Sequence, residues 1–323
     1  MPLIKITKGV ARGQGARPYQ EDQYALADEA FSQSGFALYS VFDGHGGGEA
    51  SKHASKHLPK LVVNSDAFKQ GDYKRALKEA FLEEDRQLAQ EFKVAAAAAG
   101  QAPAAPVGAG GLGAGNGTGR GGSTATVALI AHEKLYVANV GDSTAALAKR
   151  VERGQGGANA AIAAGDNGVG TEVAPATNGE YVAVRLSKEH KVDDKAESDR
   201  LQKADATVRA DRVVGPGHAI NMTRALGDFD FKLPENGAKE DWISPVPHLT
   251  EMPLTPAVDF AIIASDGLWN HFHESQLIPM VADMRKQGST PQQICDSFVS
   301  KLEQTPGSDN ITFMLLDFTW SEQ

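Results

Sequence analysis

One device recurs along this chain: an apolar run that ends in a carboxylate and a glycine. Phe36-Ala37-Leu38-Tyr39-Ser40-Val41-Phe42 leads into Asp43-Gly44-His45-Gly46-Gly47, and Phe260-Ala261-Ile262-Ile263-Ala264 leads into Ser265-Asp266-Gly267. Glu21-Asp22 and Asp309-Asn310 also lie at predicted strand boundaries, and Asp142, in Gly141-Asp142-Ser143, ends a further strand. A carboxylate at a strand end can point off the sheet edge into a cleft. Several meeting in one cleft would repel one another unless cations sat between them, and hard oxygen ligands suit Mg²⁺ or Mn²⁺. The fold therefore has to gather residues from the whole length of the chain, and a paired-cation cleft commonly runs hydrolysis of phosphate esters.

The strand reading extends to Thr124 to Ala131 and Lys134 to Val140, which the short His132-Glu133 turn joins into a hairpin, and to Tyr181–Leu186 and Ile311–Phe318. Helical periodicity runs from Tyr73 through Leu77, Phe81, Leu88 and Phe92. Glu49 to Leu61, Ser275 to Arg285 and Pro291 to Leu302 read as further helices, the last opened by Ser289-Thr290 ahead of Pro291. Hairpins outnumber βαβ units, so mixed or antiparallel sheets covered by helices are expected.

Residues 94–121 and 154–180 are dominated by Ala and Gly. Such stretches bury too little apolar surface to offset their ordering entropy and read as loop insertions. Gly108-Ala109-Gly110-Gly111-Leu112-Gly113 matches a dinucleotide-binding fingerprint only by glycine abundance, with no strand–turn–helix around it. The net charge of −9 argues against nonspecific contact with nucleic acid or an anionic membrane. No apolar run is long enough to cross a membrane, and the N-terminus carries no signal-peptide core. Cys295 is the single cysteine, which fits a reducing compartment, cytoplasmic or nuclear.

Arg17 precedes Glu21 by about a helical turn; it reads either as a surface partner of Glu21 or as a bidentate clamp on phosphate oxygens. His45, two residues past Asp43, reads as a solvated loop residue, a metal ligand or a general acid. His271-Phe272-His273 falls at a helix start and reads as structural. Lys301 stands where a cysteine-dependent phosphatase loop after Cys295 would need arginine, and a phosphate-loop lysine motif is absent, so neither chemistry is expected.

Taken in order, the motifs resemble the metal-dependent serine/threonine phosphatases of type 2C. They are Arg17-Pro18-Tyr19-Gln20-Glu21-Asp22, Val41 to Gly47, Gly122-Ser123-Thr124-Ala125, Val137 to Ser143, Leu186 to Lys191, Thr223 to Asp228, Ala264 to Trp269 and Ser308 to Thr312. The resemblance implies an α+β fold: a four-layer α/β/β/α sandwich of two mostly antiparallel sheets flanked by helices, with a metal cleft between the sheets. It implies one catalytic domain over 1–323, with a flap at about 194–231. By the same analogy Asp43 bridges two Mg²⁺ or Mn²⁺ ions, the Gly44 carbonyl binds one, and Asp266 and Asp309 bind directly. Glu21 and Asp22 hold metal-bound waters, Arg17 binds phosphate and His45 protonates the leaving alkoxide after attack by a metal-bridging hydroxide. Asp142 belongs with a third metal in the family, but Asn270 stands where an acidic partner is usual, so that site is expected to be weak. Arg224 and Asp228 read as supports of the flap. The expected substrates are phosphoproteins, with the chain a monomer. The rival readings are a catalytically silent scaffold and a hydrolase of small phosphate esters.

Overall fold

The computed structural model describes residues 3–28, 35–98, 121–151, 173–175 and 180–321, without 217, 233, 235–237 and 239. In chain order the strands are β1 (Leu3–Gly13), β2 (Gln23–Ala27), β3 (Phe36–Phe42), β4 (Gly44–His45), β5 (Gly122–Ser123), β6 (Ala125–Ala131), β7 (Lys134–Val140), β8 (Thr144–Arg150) and β9 (Val173–Pro175). They continue with β10 (Tyr181–Arg185), β11 (Thr207–Arg209), β12 (Arg212–Val214), β13 (Ala219–Ile220), β14 (Leu226–Gly227), β15 (His248–Pro253), β16 (Val258–Ala264) and β17 (Ile311–Ser321).

Two large antiparallel sheets result, ordered β1-β17-β16-β8-β10-β9 and β15-β7-β6-β3-β2. Period-2 alternation sorts each strand between two cores. In β3, Ala37, Tyr39 and Val41 face the other sheet, where they join Ala261 and Ile263 of β16 and Met314 and Leu316 of β17. Leu38 and Phe42 turn outward onto the Glu49–Asn64 and Tyr73–Ala98 helices through Leu58, Leu77, Phe81 and Leu88. On the far side Phe260, Ile262 and Phe313 pack under the Glu274–Lys286 and Pro291–Glu303 helices. Because both faces of each sheet are covered, the strands read as continuous apolar runs, and each large side chain so buried contributes roughly 1.5–3 kcal/mol. The expected α/β/β/α sandwich is the one found.

Local chemistry accounts for the boundaries. The β6–β7 turn places His132 and Glu133 at φ of 48° and 60°, the left-handed pair that a tight hairpin needs. Thr290 caps the Pro291–Glu303 helix: its Oγ1 accepts from the Gln293 N–H, while Gln293 Oε1 accepts from the Thr290 N–H. His273 caps the Glu274–Lys286 helix, which gives the His271-Phe272-His273 segment its structural role.

Two expectations are corrected. Residues 94–98, read as loop, continue the Tyr73–Ala98 helix, because alanine is the best helix former. Val173–Pro175, inside the second Ala- and Gly-rich stretch, pairs with β10 as an edge strand, where proline's missing N–H costs least. Apart from Gly121 and Glu180, the remainder of both insertions lies outside the described residues. The segment from Asp194 to Phe231 forms the Lys195–Lys203 helix and the β11-β12-β13 sheet, and with Trp242 and Ile243 it packs a separate core around Leu201, Val213 and Phe231.

Candidate metal centre

The strand ends converge as the device at 43 and 266 anticipates. Asp43 leaves β3 with its N–H donated to Thr124 Oγ1 and its carbonyl accepting from the Thr124 N–H. Asp266 opens the short Asp266–Trp269 helix directly after β16. Asp22 enters β2, and its Oδ2 accepts from Ser265 Oγ and Thr312 Oγ1, both at 2.8 Å. Thus residues beginning β2, following β16 and starting β17 meet at one point. Backbones are packed so closely there that only glycine fits twice: a Cβ on Gly44 would lie 2.5 Å from the Glu21 carbonyl oxygen, and one on Gly267 would lie 2.0 Å from that of Asn310.

The electrostatics are those of carboxylates brought together out of water. Burial raises the Asp43 pKa well above its ordinary value, and the charges of Asp22, Asp266, Asp142 and Asp309 raise it further. Asp22 and Asp266 are each pushed up to about 6, first by burial. Asp22 Oδ1 is buried without a hydrogen-bond partner among the described residues. Arg17 pairs with Asp309 and Lys191 Nζ lies 3.6 Å from Asp142 Oδ2, while among the described residues no basic side chain pairs with Asp22, Asp43 or Asp266. A buried, uncompensated group of carboxylates is costly, and its oxygen-only donor set fits hard divalent cations. Asp22, Asp43, Asp266 and Asp309 are the carboxylates whose charges act together here, and they are the groups that could hold such cations.

Around this centre the sequence-predicted residues take definite positions. Arg17, 58 % exposed, pairs with Asp309 and not with Glu21 as the surface reading had it. Glu21 is fixed through its backbone, the N–H donating to Asn310 Oδ1 at 2.8 Å. His45 Nε2 lies 2.8 and 2.9 Å from the two carboxylate oxygens of Asp228. Burial works against charging His45, but the charge and hydrogen bond of Asp228 outweigh it and its pKa is raised. Asn270 Nδ2 donates to Asp266 Oδ2 at 3.2 Å.

The family model for protein phosphatase 2C matches residues 7–311. The chain belongs to the protein phosphatase 2C family. Membership makes it a metal-dependent serine/threonine protein phosphatase. It is 27% identical to a probable protein phosphatase 2C 21 of Arabidopsis thaliana, over 97% of this chain and 87% of that one. It is 26% identical to protein phosphatase 2C homolog 2 of Schizosaccharomyces pombe, over 96% of this chain and 72% of that one. A crystal structure of a serine-threonine phosphatase 2C from Toxoplasma gondii shares the fold, with a TM-score of 0.72 at 18% identity over 99% of this chain and 100% of that one.

Sequence reasoning missed several residues of this phosphatase. Asp228, read only as a flap support, holds the His45 ring. It does so from a left-handed backbone at φ of 50°, and a Cβ on Gly122 would lie 2.3 Å from its Oδ2. Arg224 is paired with Glu197 inside the 194–231 segment: burial alone would lift the Glu197 pKa, yet Arg224 and Arg200 hold it down at about 2. Lys191 stood in a quoted motif without a role and now sits against Asp142. Asn310 braces the 14–21 segment, its Nδ2 donating to the Gln14 and Tyr19 carbonyls at 2.9 Å. Ser265 and Thr312 are the donors that orient Asp22. Cys295 is fully buried and burial pushes its thiol up, the opposite of what a nucleophile needs.

Proposed function

We propose that this phosphatase hydrolyses phosphoserine and phosphothreonine in proteins at the Asp22–Asp43–Asp266–Asp309 cluster, using Mg²⁺ or Mn²⁺, two ions per chain. The observation that carries the reading is the group of buried carboxylates whose pKa values burial and mutual repulsion raise, Asp43 foremost. Cations bound there would supply Lewis acidity, lowering the pKa of a bound water and offsetting the negative charge of the phosphate. The chain's own groups do the remainder. Arg17, exposed and already directed toward Asp309, is placed to hold phosphate oxygens. His45 carries the proton for the departing serine or threonine oxygen. Asp228 occupies Nε2, so transfer falls to Nδ1, and the carboxylate keeps the ring oriented and charged.

A third cation belongs beside Asp142 and Asn270, and we assign it weak binding. Lys191 already supplies positive charge to Asp142, and the Asn270 amide is turned to Asp266 as a donor. The reading keeps the chain as one catalytic domain acting as a monomer in the cytosol or nucleus, in keeping with its single buried cysteine.

The test is phosphate release from a phosphothreonine peptide with Mn²⁺ or Mg²⁺, then with chelator, beside Asp266→Asn. Release that requires metal and disappears in the variant is expected. Full release from Asp266→Asn, or from chelated protein, refutes the site.

A further inference from the structure

A second group of metal-type ligands lies away from the cleft carboxylates, between the Glu49–Asn64 and Tyr73–Ala98 helices. His53 and His57, one helical turn apart, face Glu84, and one ligand atom from each of the three lies within 4.8 Å of the others. Glu84 Oε1 is 2.6 Å from His53 Nδ1, and His57 Nδ1 is 2.8 Å from His53 Nε2. Glu91, two turns along from Glu84, adds Oε2 at 3.0 Å from His53 Nε2.

Hydrogen bonding alone leaves this group incompletely satisfied. Glu84 is fully buried, and its Oε2 has no hydrogen-bond partner among the described residues. A buried carboxylate oxygen left without a partner is costly, and a bound cation removes that cost. His57 is half-buried and rims a cleft of about 390 Å³ together with Lys60, Asn64, Glu79, Glu83 and Gln87, which provides an entry path.

We propose that His53, His57 and Glu84 form a second metal site, for a divalent transition metal of the zinc class, that clamps the two helices together. Two imidazoles and a carboxylate are a borderline-soft donor set that selects Zn²⁺ over Mg²⁺ or Mn²⁺, the reverse of the all-oxygen cleft. The ion takes one nitrogen of the His53 ring and replaces the proton shared there, while the other nitrogen keeps a hydrogen bond. Tetrahedral ligands at zinc bond lengths stand about 3.3–3.5 Å apart, so the short contact at that nitrogen opens on loading and the third ligand atom, now within 4.8 Å of the others, closes on the ion. Glu91 is placed to supply a further oxygen.

The experiment uses metal-stripped full chain in excess Mg²⁺, which occupies the oxygen cleft. Co²⁺ is titrated while its visible ligand-field bands are recorded, and Zn²⁺ is then added as competitor. The result expected is one tetrahedral Co²⁺ per chain, displaced by one Zn²⁺, with a raised melting temperature. His57→Gln, at a half-buried position outside the cleft, should weaken Zn²⁺ by at least roughly tenfold and leave Mn²⁺-supported peptide hydrolysis intact; Glu84→Gln should abolish the bands. Absence of tetrahedral bands means that the three residues share protons only, and overturns the site. Bands that survive both substitutions place the metal elsewhere and overturn it equally.

Discussion

Replacing Asp22 with asparagine should stabilise the metal-free protein while blunting its response to metal. Asp22 is fully buried, and burial, only partly offset by the Thr312 and Ser265 hydrogen bonds, lifts its pKa from 3.8 to about 6. A carboxyl whose folded pKa is raised binds more protons folded than unfolded. Its contribution is therefore intact below the unfolded pKa and is lost as pH rises through the folded one. A shift of about 2 units is worth about 3 kcal/mol once both states are ionised, near pH 8, and about 1.5 kcal/mol of that cost is already present at pH 5. Asparagine does not titrate, and its one carbonyl oxygen can still accept from Ser265 and Thr312. The assay is urea unfolding of both proteins in chelator at pH 5 and pH 8. The variant's advantage should grow by about 1.5 kcal/mol between them, whatever constant offset the substitution brings. With saturating Mn²⁺, the wild type should gain more in melting temperature than the variant. An advantage that is flat with pH, or that shrinks as pH rises, would refute the argument that a buried ionised carboxylate strains the empty site.

Removing the acid in His45→Gln should slow hydrolysis of a phosphothreonine peptide by roughly 10²–10⁴-fold and slow an aryl phosphate, whose leaving group needs no proton, far less; equal losses on both substrates would contradict the role. In Asp228→Asn the charge that raises the His45 pKa is gone, so the alkaline limb of kcat/KM should move to lower pH, and an unmoved limb would remove Asp228 from that role. Asn270→Asp places a carboxylate beside Asp266, which itself feels the charge of Asp142, and should tighten an additional Mn²⁺, which superimposable titration curves for the two proteins would exclude.

What could be read before folding was whatever a short stretch encodes by itself. The strand ending at Phe42, the His132-Glu133 turn and the Thr290 cap each depend on neighbours a few residues away, and each was found where expected. β8 escaped because Thr144-Ala-Ala-Leu-Ala-Lys-Arg150 is alanine-rich and has little strand preference. Its place between β16 and β10 comes from pairing, although its start just past the Gly141-Asp142 turn was a usable hint. β1 also went unread, though Ile4 and Ile6 alternate with lysine and threonine as an edge strand would. The carboxylate cluster was legible because one local device repeats. The Asp228–His45 contact was not, since it joins positions 183 residues apart with no pattern in either. The same holds for Lys191 against Asp142 and for Asn310 bracing Tyr19.

β1 and β17 pair along their full length, from Leu3 with Ser321 to Gly13 with Ile311. On the ribosome, Asp22, Asp43 and Asp142 emerge well before Asp309 and the strand that partners β1. Domains fold as units when their sequence is complete. A chain made only as far as β16 thus holds an open sheet edge and lacks Asp309 from the carboxylate cluster. The sheet edge closes only when both ends of the described residues are present, so β1 and β17 tie the two ends of the fold into one cooperative unit.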